Sequence, residues 1–218
     1  MLSPRDFSGD YGIHGRNILS AGKVDADSSG VFKAEVGTVE SIIAGSEMVD
    51  EDSVSEGDIE HFVNGVFSSD IEEVGEIRST GKGVSSSKLG EVGSILSRDW
   101  AVSVSEIGSV DRIVSNRMAV YDSSVDNIGK IKSGRDGINR SDVETVGNIL
   151  SGKRGIWDSD VGSVEMIVSG GNAVERSTVE SIGEVQSWWS GIRDSQVGSV
   201  DKIVSDMNGV QDATVGSI

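Results

Sequence analysis

Branched aliphatic residues recur every 18 residues between residue 71 and residue 218. They form four rows, which the unit beginning at Ser141 shows as Val143, Val146, Ile149 and Ile156. A fixed period of this kind is typical of a stacked repeat array, in which each unit buries its apolar face against its neighbours. The pattern therefore predicts a repeat solenoid.

The spacing within one unit favours a short helix. Val143, Val146 and Ile149 fall on one face of a helix, and Ser141 with Glu144 matches a capping box at the start of that helix. Ser151 and Gly152 follow the last aliphatic residue, where a helix C-terminus belongs. We therefore expect a helix of about nine or ten residues in each unit.

A second segment of each unit is expected to be extended. The residue before the fourth aliphatic is Gly or Ala in every regular unit, as at Gly155, which indicates a close backbone approach. The predicted fold is a solenoid with one short α-helix and one minimal extended segment per 18-residue unit. The alternative is an all-β solenoid with 18-residue coils, favoured by the β-branched residues and the serine rows.

The period divides the chain into three regions. Residues 1–17 break the pattern and are interpreted as an N-terminal cap or arm. Residues 18–70 contain irregular repeats with acidic loops, and residues 71–218 form the regular array, whose last unit is incomplete. Solenoids usually need polar terminal units to stay soluble, so an incomplete last unit indicates a truncated chain, a partner docked at that end, or head-to-tail contact with a second copy.

Residues 23–64 carry an acidic loop followed by an aliphatic run. Asp25, Asp27, Ser29 and Gly30 lead to Val31 and to the acidic Glu35, and a looser copy follows with Asp50, Asp52, Val54, Asp58 and Ile59. This segment resembles the loop-helix repeat of dockerins, an EF-hand-like calcium-binding family. The resemblance implies a calcium ion bound by Asp25, Asp27, Ser29 and Glu35, and an extracellular or assembly-surface location. Glu35 lies one residue before the twelfth loop position, which EF-type loops give to a bidentate carboxylate.

The amino-acid composition limits the kinds of molecule that the chain is expected to bind. The net charge is −17, which disfavours binding to nucleic acid because phosphate contacts need Lys and Arg. The chain has no cysteine and no apolar run near the roughly 20 residues of a membrane-spanning helix. The same acidity leaves a DNA-mimicking inhibitor as one alternative function.

The sequence contains few patterns that are typical of catalytic sites. The two histidines, His14 and His61, stand near no nucleophile pattern, and phosphate-binding or serine-hydrolase motifs are missing from the sequence. We therefore expect no catalytic residues, no enzymatic activity and no cofactor other than the calcium ion that the resemblance implies.

Aromatic residues outside the aliphatic rows form a candidate binding surface for a protein or a glycan. They are Trp100, Tyr121, Trp157, Trp188 and Trp189. The favoured function is a non-enzymatic structural or assembly protein, a fibre or scaffold component whose copies join head-to-tail through the solenoid ends. A protein- or glycan-binding solenoid module is the alternative from a different class.

Overall fold

The chain folds as a parallel β-solenoid. The computed structural model describes residues 4–45 and 63–218, and every regular element within these ranges is a β-strand. The prediction of one helix per repeat is therefore wrong, and the all-β alternative is confirmed: about 11 coils of about 18 residues stack on one another.

Most coils contain one long and one short strand. The long strands are β1 Arg5–His14, β2 Asn17–Phe32, β3 Glu35–Ala44, β5 Asp70–Ser79, β7 Lys88–Ser97, β9 Glu106–Ser115, β11 Ser124–Ser133, β13 Asp142–Ser151, β15 Asp160–Ser169, β17 Thr178–Ser187 and β19 Gln196–Ser205. The short strands are β4 Asn64–Phe67, β6 Lys82–Ser85, β8 Trp100–Ser103, β10 Met118–Tyr121, β12 Asp136–Asn139, β14 Arg154–Trp157, β16 Val174–Glu175, β18 Ser190–Arg193, β20 Asn208–Gln211 and β21 Thr214–Ser217.

Each strand away from the two ends pairs in parallel with its equivalents in the coils before and after. Val143 on β13, for example, lies between Val125 on β11 and Val161 on β15. The short strands form a second parallel ladder, in which Ile156 lies between Ile138 and Val174. The 18-residue period is thus one step along the solenoid axis, and equivalent side chains lie above one another.

The long strands bend around the core, which explains their three-residue apolar spacing. A straight strand buries every second residue, but β13 buries its second, fifth, eighth and tenth residues. Glu144 and Gly147 have no partner in the pairing with β15. Each is the first of the two outward-facing residues that separate one buried aliphatic residue from the next. A bend at each of these positions brings Val143, Val146 and Ile149 to the same interior.

The interior is a continuous stack of aliphatic side chains. The four rows of the middle coils are buried; Val143, Val146, Ile149 and Ile156 are between 0% and 3% exposed. Full burial of such side chains contributes about 1.5–3 kcal/mol each, before the loss of conformational entropy. The repeated stacking of these rows is the main source of stability.

A non-glycine residue with positive φ directly follows each short strand from β4 to β20. Arg140 has φ 52°, Asp158 has φ 54° and Val104 has φ 51°. Asp and Asn enter this left-handed region at lower cost than other non-glycine residues, and a β-branched residue is unusual there. The equivalent residues in the other coils are Lys33, Ser68, Ser86, Asp122, Arg176, Asp194 and Asp212.

The serine row interpreted as helix caps is a hydrogen-bond ladder between coils. The Ser141 hydroxyl donates to the carbonyl of Asn139 at 2.8 Å and accepts the backbone N–H of Ser123, one coil earlier, at 3.2 Å. Ser159 repeats both bonds, with Trp157 and with Ser141. The capping-box interpretation is therefore wrong, because the serine connects successive coils at a β-corner.

The dockerin-like interpretation is also wrong. Asp25, Asp27 and Ser29 lie within strand β2 and Glu35 begins β3, so no helix follows the loop pattern in this described segment. Within the looser copy, Asp50, Asp52, Val54, Asp58 and Ile59 lie outside the described residues, as does His61. The β-solenoid thus replaces loop-helix repeats over the described part of the resemblance.

The described residues, 4–45 and 63–218, contain no helix with the length and apolarity needed to span a membrane.

Candidate binding surfaces

The five aromatic residues proposed from the sequence fall into three separate groups. Trp100 and Tyr121 contact each other on neighbouring coils, with ring centroids 4.7 Å apart. Lys82 places its ammonium 4.9 Å from the centre of the Trp100 ring, on the side of the preceding coil. This group is a continuous stack of a cation and two aromatic rings along the short-strand ladder.

Trp157 belongs to a second group, in which arginines cover the indole. The Arg154 guanidinium lies 3.5 Å from the ring centre, and that of Arg176 lies 5.2 Å away. Arg154 also donates two hydrogen bonds to the carboxylate of Asp136, at 2.8 and 2.9 Å. Cation–π and charge-assisted contacts therefore already engage this part of the surface.

Trp188 and Trp189 form the third group, in the turn between β17 and β18. Their exposed fractions are 70% and 61%, the largest of the four tryptophans. Large exposed aromatic surfaces in soluble proteins are typical of binding sites. Of the five residues, these two have the surface most accessible to a ligand.

A fourth aromatic group, near the N-terminus, was not identified from the sequence. Tyr11, His14 and Phe32 pack around one another with centroids 5.0 to 5.7 Å apart, and Phe67 stacks on Phe32 at 5.4 Å. His14, Phe32 and Phe67 occupy equivalent positions in successive coils. The signal in the sequence was the spacing of 18 residues between His14 and Phe32.

The residues implied to bind calcium lie along two strands. Asp25 and Asp27 are exposed on β2, and Asp25 forms a salt bridge with Lys23 at 3.0 Å. Ser29 is buried, while the carboxylate of Glu35 accepts a hydrogen bond from Asn17 at 2.8 Å. Over residues 4–45 and 63–218, no three acidic or histidine side chains are grouped as a metal site requires. The calcium ligand set stays a prediction, without the loop-helix motif from which it was inferred.

Among the residues that the structure describes, two charged groups have shifted pKa values, and both lie on the surface. The pKa of Glu184 is lowered, first because Lys202 on the next coil donates a hydrogen bond at 2.7 Å and second because Gln186 donates another. The pKa of Arg140 is raised, chiefly by its hydrogen bond to the Tyr121 hydroxyl at 3.2 Å. Both shifts follow from contacts between neighbouring coils or their turns.

The described part of the solenoid begins and ends with partial coils. At the C-terminal end, β21 pairs with residues 196–199, the first half of β19. At the N-terminal end, β1 pairs with residues 21–32, the later part of β2. Among the described residues, the later part of β19 and the first four residues of β2 therefore each have a strand on one side only.

Comparisons with known proteins leave the site to be interpreted from its geometry, because no family model, curated protein or solved structure matches this chain.

Proposed function

We propose that this protein is a non-enzymatic structural solenoid whose copies stack head-to-tail. The observation that supports the proposal is the complementarity of the two partial coils. The half-coil that β21 adds at one end corresponds to the half that β1 leaves open at the other end. One β21 and the β1 of a second copy would together complete a single coil.

The strand registers make this complementarity specific. Asn17 is in register with Glu35 and, through successive long strands, with Gln196 and Thr214. By the same chain of pairings, Ser20 is in register with Ser217. A parallel joint would therefore place β21 of one copy directly against residues 17–20 of the next.

The remainder of the joint follows from the same register. Phe7 pairs with Val24, whose row continues along the long strands to Ile203. Stacking would thus place Phe7 of one copy over Ile203 of another, and both side chains are only partly buried against the core. Apolar contact and new backbone hydrogen bonds would form in one step.

The joint would be weaker than a step inside the solenoid. Register shifts interrupt β1 between Arg5 and Phe7 and between Gly9 and Tyr11. Such bulges remove ladder hydrogen bonds and discourage uncontrolled edge pairing. We therefore expect reversible, concentration-dependent association. Contacts that repeat head-to-tail without closing produce filaments.

Engineered disulfides test the register directly, because the 218-residue chain has no cysteine of its own. The double variant Ser20→Cys/Ser217→Cys places one thiol at each side of the proposed joint. Disulfides form when the two Cα atoms are about 4.4–6.8 Å apart, a range that includes paired strand positions. Oxidation of this variant should give a ladder of covalent multimers on a non-reducing gel.

The matched control is Ser20→Cys/Ser109→Cys. Ser109 lies in the same row, but strands β7 and β11 cover β9 on both sides. The control should give no ladder beyond random dimers. Equal cross-linking of the two variants, or a mass by light scattering that stays monomeric at every concentration, would overturn the proposal.

A further inference from the structure

A groove of about 410 Å³ crosses the turns that lead into β14, β16 and β18. We call it the Trp189 groove; its lining includes Lys153, Gly170, Gly171, Asn172, Glu175 and Trp189. Its volume lies within the range of about 300–1,000 Å³ that is typical of small-molecule sites. Its lining reaches β18, one coil before β20, and includes none of the residues placed in the joint proposed above.

The floor of the groove is backbone. A methyl group added at Gly170 would lie 2.3 Å from the carbonyl oxygen of Gly152, and one added at Gly171 would lie 2.3 Å from that of Lys153. Larger residues at these positions would require the backbone to shift. The glycines thus leave an open, flat surface beside the exposed indole of Trp189.

Polar side chains border this surface in fixed orientations. The amide nitrogen of Asn172 donates to the Glu175 carboxylate at 3.0 Å, and its oxygen accepts the backbone N–H of Ser190 at 3.3 Å. These bonds orient Asn172 and hold one oxygen of Glu175. The other Glu175 oxygen and the Lys153 ammonium provide an acceptor and donors for a ligand.

The groove lining holds three cations, Lys153, Arg154 and Arg193, and one carboxylate, Glu175, and the carboxylates that offset the two arginines lie just outside it. The Arg154 guanidinium is bonded to Asp136, and that of Arg193 lies 3.3 Å from the carboxylate of Asp194. Lys153 and Glu175 contribute one further charge of each sign. A neutral ligand with many hydroxyl groups fits this environment better than an ion.

We propose that the Trp189 groove binds a neutral saccharide. The apolar C–H face of a pyranose ring packs on the indole of Trp189, and its hydroxyls pair with Glu175 and Lys153. A peptide added as an extra strand is disfavoured, because β16 at this site already pairs on both sides, with β14 and β18.

Binding can be measured by saturation-transfer NMR with neutral oligomers of glucose, xylose, mannose and N-acetylglucosamine. Uronate oligomers form the charged comparison. We expect saturation transfer from at least one neutral series, and a loss of affinity of about tenfold for Trp189→Ala, the effect of removing about 1.4 kcal/mol of aromatic contact. Trp189→Phe should retain part of the affinity.

The matched control is Trp188→Ala, which removes an equally large, exposed ring from the adjacent position outside the groove lining. This variant should bind as the unmodified protein does, with circular dichroism confirming that both variants fold. The proposal is overturned if no neutral oligomer binds, if both alanine variants lose affinity equally, or if only uronates bind and Lys153→Gln abolishes that binding.

Discussion

Single residues in this solenoid act mainly through the coil before or after them. The two buried serine rows show two different outcomes of that arrangement. Ser141 uses its hydroxyl as donor and acceptor between coils, whereas the buried hydroxyl of Ser151 has no hydrogen-bond partner in the structure. A buried hydroxyl contributes to stability only when it is bonded.

Ser141→Ala should therefore destabilise the protein by about 1–3 kcal/mol, because the buried N–H of Ser123 would lose its acceptor. Ser151→Ala is the matched control and should change the free energy of unfolding little or increase it. Urea denaturation followed by circular dichroism measures both. Equal losses of unfolding free energy in the two variants would show that the serine hydrogen bonds between coils do not stabilise the fold.

Val104 is the least suitable residue among the left-handed corners. It is β-branched with φ 51°, while several equivalent corners contain Asp. Val104→Asn should stabilise the fold by about 1 kcal/mol, since a left-handed conformation costs ordinary L-residues about 1–2 kcal/mol. Val204→Asn, at an exposed strand position without positive φ, should give no gain in a thermal melt. A similar gain for both variants would point to exposed hydrophobicity instead.

At the scale of the strand, burial depends on how many coils cover an element. Ile167 lies on β15 between β13 and β17 and is fully buried. Ile203 occupies the same row on β19, where β21 covers only the first half of the strand. An isoleucine side chain therefore contributes more to the free energy of unfolding at position 167 than at position 203.

Ile167→Ala should lower the free energy of unfolding by about 2–4 kcal/mol, through lost burial and a cavity. Ile203→Ala should cost clearly less. Chemical denaturation gives the two values, and hydrogen exchange should show that amides of β19 and β20 open before those of β15. Equal costs would indicate that something other than the chain's own coils protects the end.

The elements were harder to predict from the sequence than the architecture. The aliphatic rows established stacking, but Val143, Val146 and Ile149 have a spacing that a helix and a bent strand share. The β-branched composition favoured strands, yet Ser141 and Glu144 imitated a capping box. The distinction depends on bends at Glu144 and Gly147, which arise only when neighbouring coils fix the backbone.

The candidate site could be predicted only in part. Trp188 and Trp189 were recognised as surface residues because they lie outside the apolar rows. Trp157 belongs to a different group because Arg154 and Arg176 cover its ring. These contacts cannot be inferred from the spacing of residues in the sequence. The glycine floor of the Trp189 groove depends on the approach of carbonyl groups from the preceding coil, which only the stack defines.

At the scale of the whole molecule, electrostatic repulsion between copies would oppose the end-to-end stacking proposed above. Each chain carries a net charge of −17 and has a pI of about 4.4. Salt screens such repulsion, and protonation of carboxylates removes it as the pH falls toward the pI. The proposed joint would form through backbone hydrogen bonds and through apolar contact of Phe7 with Ile203, so screening should not weaken these interactions.

Association measured by light scattering should therefore strengthen with added salt at pH 7, and also as the pH is lowered from 7 toward 4.4. The oxidised Ser20→Cys/Ser217→Cys multimers provide a size reference for the associated species. Dissociation on adding salt at pH 7 would instead mean that ion pairs hold the copies together.

The uniform register also affects how such a chain can change length during evolution. Between Ala34 and Ser69, a hydrogen bond joins neighbouring coils across 35 residues instead of 18, so the register continues past a longer connection. Whole blocks of 18 codons could be duplicated or deleted by unequal recombination, with new contacts required only at the seam. The number of coils could thus change during evolution while the structure of each coil stays the same.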